Sequence, residues 1–270
     1  MEKNAVQLRI ENGVAIVRLN RPNMHNAVDD AMMAGLEASL DQIDADRSIR
    51  FVIVTGVGRE SFCTGGDLRY FARLRTRREG TQMARRMQRI LARLDDRRRV
   101  VVAAINGRAI GGGCEIMLAA HFRIASRQAV FSFRHAANGL STAWGGGVRL
   151  LQLLGPSRAL RLLLTAEELD AKEALRCGLV DQIVPPTKVM TAALALCTKI
   201  ASNSARAVAG FLSLSEAFDR SSGRTFKELE MRFLSRTWGS PEFRGILSRY
   251  VQIPQRQDHR KERSHERSDQ

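Results

Sequence analysis

The stretch INGRAIGGGCEIMLAA, Ile105 to Ala120, sets three consecutive glycines ahead of a cysteine, a glutamate and an apolar, helix-like run. Glycine inside a helix costs about 1 kcal/mol against alanine, so a triplet at a helix start answers some other need. Upstream runs VVVAAI, Val100 to Ile105, a continuous apolar segment that reads as a buried parallel strand. A second stretch has the same construction: FVIVTG (Phe51 to Gly56) is followed by FCTGGDL (Phe62 to Leu68). A glycine turn feeding a helix presents free N–H groups and the positive end of the helix dipole. It also lets a ligand approach the backbone closely. Two such turns on neighbouring strands can aim two donors at one oxygen, an oxyanion hole in which each donor contributes about 3 kcal/mol. The alternative is that the glycines only cap strands and close-pack helices.

Working outward, VQLRI and VAIVRL flank the Asn12-Gly13 pair, a hairpin signal. Met33, Leu36, Leu40 and Ile43 have helical spacing, and Met83, Met87, Ile90, Leu91 and Leu94 place a helix over about 80–96. FRIAS is a third core strand, and further helices are expected over about 145–154, 156–165 and 171–177. This alternation argues an α/β fold with a mostly parallel sheet. Beyond it only helical patterns occur: VMTAALALCTKIAS, ARAVAGFLSLSEAF and RTFKELEMRFLSRTW. The chain therefore divides into a core, 1–186, a helical region, 187–252, and a polar tail, 253–270, that can bury nothing and is expected to be disordered.

No run of 18 apolar residues is present, so no membrane span is expected. The polar start MEKNAVQLRIENG lacks the apolar segment of a signal peptide, which points to a cytoplasmic protein. Cys63, Cys114, Cys177 and Cys197 show no metal spacing and read as free thiols; no metal site is expected. The formal net charge of +15 favours anionic partners such as nucleotides, nucleic acid or acidic surfaces.

The pair FCTGGDL and INGRAIGGGCE resembles the enoyl-CoA hydratase/isomerase (crotonase) superfamily. LNRPNMHNAV, WGGGVRLLQLLGPSRAL and LDAKEALRCGLVDQIV support the resemblance, which spans about residues 6–250. It implies a spiral of ββα turns, an α/β core carrying an acyl-CoA site, and a C-terminal helical region for trimerisation, giving homotrimers or homohexamers. It implies no cofactor, because coenzyme A is part of the substrate. The thioester carbonyl would sit between the backbone N–H groups of Gly66 and Gly112. Glu115 matches the first catalytic glutamate of the hydratases. Backbone around NMHNAV and GGDLR would hold coenzyme A, which implicates Met24, His25, Ala27, Thr64, Asp67, Leu68 and Arg69. Arg21 and Arg69 are candidates for the nucleotide phosphates.

One departure stands out. The family carries a second glutamate four residues before a glycine, after a proline. Here FSFRHAANG, Phe131 to Gly139, puts His135 at the glutamate position and Arg134 at the proline position. Hydration uses two carboxylates to hold and split water, so this site is expected to hydrate poorly. His135, with Trp144-Gly145-Gly146, is similar to ethylmalonyl-CoA decarboxylase-like members. Loss of CO2 from a malonyl-type thioester leaves an enolate and needs only a proton donor to finish, which His135 or Glu115 can be. The expectation is an acyl-CoA lyase leaning to decarboxylation, with enoyl-CoA hydration or isomerisation as the alternative. His121, in place of a more usual aspartate, carries no assigned role.

The arginines of RLRTRR (Arg73 to Arg78), with Arg85, Arg86, Arg89, Arg93 and Arg97 to Arg99, form a basic stripe. A solvated or ion-paired helix face is one reading. A nucleic-acid-binding, non-catalytic homologue is another, although few aromatics are present for base stacking.

Overall fold

The computed structural model describes residues 4–95 and 98–251. β1 (Val6–Glu11) and β2 (Val14–Leu19) form an antiparallel hairpin. Asn12 and Gly13 turn it with φ of 50° and 73°, the left-handed pair that a tight Asn-Gly turn requires. α1 (Asp30–Ala45) follows, its first turn capped by Asp29, which accepts from Met32 N–H at 2.9 Å. Next come β3 (Phe51–Gly56), β4 (Ser61–Cys63), α2 (Leu68–Arg73) and α3 (Arg77–Leu94). β5 (Val100–Ile105), β6 (Arg108–Ile110), α4 (Gly112–Met117), β7 (Phe122–Ser126) and β8 (Val130–Ser132) repeat the pattern. α5 (Gly146–Thr165), β9 (Glu168–Asp170), α6 (Ala171–Arg176) and β10 (Gln182–Val184) complete the core. Three helices close the described chain: α7 (Val189–Ala201), α8 (Ala205–Thr237) and α9 (Pro241–Val251).

The strands build two sheets. One has the order β1-β2-β3-β5-β7-β10 and is parallel from β2 onward; the other runs β4-β6-β8-β9. Each turn of the spiral gives a long strand to the first sheet and a short one to the second: β3 with β4, β5 with β6, β7 with β8. The short strands are a correction. Ser61–Cys63 and Arg108–Ile110 lie in segments read from sequence as loops, and three residues are too few for an alternating pattern to register. The two helices expected around residue 155 form one element broken at Gly155 (φ 74°), just before Pro156. Two stretches read as separate C-terminal helices are one 33-residue helix, α8. The tail 253–270 lies outside the described residues.

Most of the core lies between the first sheet, α1, α3 and the C-terminal helices, with Met32, Met87, Phe131 and Trp238 fully buried in it. Part of the basic stripe is paired here, while Arg73, Arg75, Arg77, Arg78, Arg85 and Arg89 stay exposed. Arg86 grips Glu37 with two bonds of 3.0 and 2.7 Å, Arg93 pairs with Asp41 and Asp44 at 2.8 Å, and buried Arg99 reaches Asp44 at 2.9 Å. α3 is thereby tied to α1, and those guanidinium groups face carboxylates of their own chain. Arg97 lies outside the described residues.

Candidate active site

The chain leaves β4 through Thr64, Gly65 and Gly66, and leaves β6 through Gly111 and Gly112. Gly65 and Gly111 have φ of 89° and 53°, a region open to glycine at little cost. The other glycines are required by contact. A Cβ on Gly65 would lie 2.8 Å from Gly112 N, so the two turns touch. A Cβ on Gly66 would lie 2.0 Å from the Phe71 ring, one on Gly112 2.2 Å from Trp144, and one on Gly113 1.9 Å from the Cys63 carbonyl oxygen. Val28 N–H donates to Gly65 O and Asp67 N–H to Val28 O. Among the described residues the Gly66 amide between them donates no hydrogen bond, and neither does the Gly112 amide at the start of α4. Two unspent donors therefore line one cavity of about 110 Å³.

Glu115 stands one helical turn into α4 and is 1% exposed. Its Oε2 accepts from Trp144 N–H and Gly146 N–H, both at 2.8 Å. Its Oε1 lies 3.0 Å from His135 Nε2. A carboxylate at that distance fixes the tautomer: Nε2 carries the hydrogen and Nδ1 faces away from Glu115. Among the described residues His135 Nδ1 is buried without a hydrogen-bond partner, and so is Ser141 Oγ; both residues line the cavity. Arg134 and Asn138 also line the cavity. The apolar part of the lining comes from Leu68, Phe71, Met83, Ile110, Leu234 and Trp238.

The remaining residues expected to touch substrate divide. Thr64, Gly66, Leu68 and Trp144 line the cavity with Gly112, Glu115 and His135. Met24, Asp67 and Arg69 lie instead along an outer groove with Arg21, Tyr70 and Arg73. His25, in left-handed backbone (φ 50°), and Ala27 belong to the loop beside it. Arg21 is a correction. It is 8% exposed, and its guanidinium is held by Asp67 (3.0 Å), Asp29 (3.1 Å) and the Ala27 carbonyl (2.6 Å), so it braces the loop and is not displayed to a phosphate. The Asp67 carboxylate is committed too, since it also caps α2 by accepting from Arg69 N–H at 2.9 Å. Arg69 is exposed.

His121 Nδ1 accepts from Val101 N–H at 2.9 Å, a link between β5 and the entry to β7. Cys63 and Cys114 are fully buried among apolar neighbours, and burial pushes the Cys63 thiol up to about 12 and the Cys114 thiol higher still. Neither is poised as a nucleophile. Among the described residues no cluster of His, Cys, Asp or Glu can hold a metal ion. Ser141, Leu234 and Trp238 escaped the sequence reading. Ser141 carries no motif, and the other two come from α8 and its end, more than 110 residues past Glu115.

The model of the enoyl-CoA hydratase/isomerase family matches residues 9–257. The chain belongs to this family. It is 37% identical over 208 residues to a short-chain-enoyl-CoA hydratase of Clostridium acetobutylicum, covering 77% of this chain and 79% of that one. It is 35% identical over 182 residues to ethylmalonyl-CoA decarboxylase of Rattus norvegicus, covering 67% of this chain and 60% of that one. A solved enoyl-CoA hydratase/isomerase from Mycobacterium paratuberculosis shares the fold, with a TM-score of 0.84 at 24% identity over 92% of this chain and 98% of that one. As a member of the enoyl-CoA hydratase/isomerase family, the protein is an acyl-CoA-processing enzyme of crotonase fold. No described helix is long and apolar enough to cross a membrane.

Proposed function

We propose that this family member is an acyl-CoA lyase that removes CO2 from a malonyl-type thioester. The observation that carries the proposal is the state of the Glu115 carboxylate. Both of its oxygens are occupied, one by two backbone amides and the other by His135. Water addition asks two carboxylates to hold and deprotonate one water; this cavity offers one carboxylate, already bound, and a histidine.

Decarboxylation asks less. The bond from the α-carbon to the carboxylate breaks, CO2 leaves, and the electron pair passes into the thioester as an enolate. The amides of Gly66 and Gly112 take the enolate oxygen, a term of about 3 kcal/mol for each donor. His135 takes a second proton from solvent on Nδ1 and gives that proton to the α-carbon, which returns the ring to its Nε2–H form. Glu115, fixed on Nε2, steadies the imidazolium before the transfer. Arg134, Asn138 and the unpartnered Ser141 hydroxyl supply donors for the carboxylate before it leaves.

Hydration or isomerisation of an enoyl-CoA is the second reading, favoured by the identity to the Clostridium hydratase. Mass spectrometry of the purified protein with ethylmalonyl-, methylmalonyl- and crotonyl-CoA separates the two. Loss of CO2 without water addition is expected, with His135→Gln lowering it at least ~10²-fold, as for loss of a general acid. Water added to crotonyl-CoA, rising further in His135→Glu, would overturn the decarboxylase reading in favour of a drifted hydratase. We propose in addition that the enzyme is a homotrimer or homohexamer, supported by the exposed Phe211 and Leu214 on α8, 72% and 68% accessible in the single chain.

A further inference from the structure

Trp238, the residue that ends α8, has its side chain fully buried more than 110 residues from Glu115, yet it lines the same cavity. Its position follows from a chain of contacts that begins at the oxyanion donors. The Phe71 ring lies on Gly66, where a Cβ would be 2.0 Å from it. The Trp238 ring lies one step farther, 5.1 Å from Phe71, and Phe243 lies 5.2 Å beyond it. On its other side the indole rests on α3. Gly80 makes room for it, since a Cβ there would lie 2.2 Å from the ring and 2.5 Å from its nitrogen. Leu234 and Met83 line the same cavity.

We infer that Trp238 is the residue that sets acyl chain length: it closes the apolar end of the cavity and restricts the enzyme to short acyl groups. The inference rests on the reading that the thioester oxygen sits between Gly66 and Gly112, because the acyl chain then runs from there along Phe71 toward the indole. The ring is held by shape and not by a polar anchor. A buried tryptophan N–H ordinarily finds an acceptor, and the Trp238 N–H has none among the described residues. Replacing it therefore removes packing and breaks no hydrogen bond, so the space it leaves becomes available to ligand. The stop also belongs to the C-terminal helices and not to the spiral, so the two parts of the chain divide the work: one binds the thioester and the other measures the tail.

The test uses saturated thioesters, which bind without turnover and so do not depend on which reaction is catalysed. Dissociation constants of butyryl-, hexanoyl- and octanoyl-CoA are measured calorimetrically for the full chain, Trp238→Ala and Trp238→Leu. Each additional CH2 taken out of water is worth about fourfold in affinity. The wild type is expected to stop gaining at butyryl and to bind octanoyl-CoA at least ~10-fold more weakly. Trp238→Ala is expected to gain about fourfold per CH2 through octanoyl, with Trp238→Leu between the two. A wild type that binds octanoyl-CoA as tightly as butyryl-CoA overturns the stop and leaves the thioester site standing. A variant profile that matches the wild type also overturns it. Failure of every ester to bind removes the site reading and the stop together.

Discussion

Gly146 is a glycine because Glu115 fills the space its side chain would need: a Cβ there would lie 2.3 Å from Glu115 Cγ and 2.9 Å from Oε2. Its N–H meanwhile donates to that same Oε2 at 2.8 Å. One residue thus sets the carboxylate's position twice, by contact and by hydrogen bond. Gly146→Ala is expected to push Glu115 and His135 out of register and to lower kcat/KM about 10²-fold, the size of effect of a 1 Å misplacement. Steady-state kinetics on whichever ester the mass spectrometry shows to be turned over measures this. Unchanged kinetics in a folded variant would mean that Glu115 is not needed where it sits.

Gly112 faces Trp144 in the same way, with a would-be Cβ contact of 2.2 Å. Gly112→Ala is expected to tilt the α4 amide and cost about 10²–10³ in kcat, as loss of one oxyanion donor does. Trimming the opposing ring should relieve the clash, so Gly112→Ala combined with Trp144→Leu should recover part of the loss. Additive losses in the double-variant cycle would show that the two residues do not meet in this way.

The thiols give a test of burial that needs no substrate. Burial pushes Cys63 up to about 12 and Cys197 to about 11, with Cys114 higher, whereas Cys177 is half-buried. Thiolate is the reactive form. At pH 8 a chromogenic disulfide is expected to titrate one thiol within minutes in the native protein and all four after denaturation. Fast reaction of two or more native thiols would contradict the packing around β4, α4 or α7, which hold Cys63, Cys114 and Cys197.

Acid should loosen α1 from α3. Hydrogen bonds from the Arg86 guanidinium hold Glu37 below its ordinary 4.5. A carboxylate with a depressed folded-state pKa adds stability above its unfolded pKa and loses it as pH falls through the folded value. The urea midpoint is therefore expected to fall as pH drops below 4.5, and Glu37→Gln should flatten part of that fall. Solvent screening keeps the difference within about 1 kcal/mol. A midpoint with the same acid slope in Glu37→Gln would remove this pair from the acid response.

The sequence by itself determined the α/β core, the hairpin, the two glycine turns and the family, because each is written in contiguous residues. Buried strands are unbroken apolar runs, and turns whose backbone is packed too closely for a side chain show as glycines, as at Gly66 and Gly112. The replacement of a glutamate by His135 was equally legible, being an offset from Gly139 within one segment. Tertiary structure alone decided the rest. Short strands such as Ser61–Cys63 carry too few residues for a period and exist because a neighbouring strand pairs with them. Arg21 looked free to meet a phosphate until Asp29 and Asp67, 8 and 46 residues away, were seen to enclose it. The partners of Glu115 come from Trp144 and Gly146, and the end of the cavity comes from Trp238. Such contacts join residues far apart in the chain, and their energy depends on distances that no local pattern encodes.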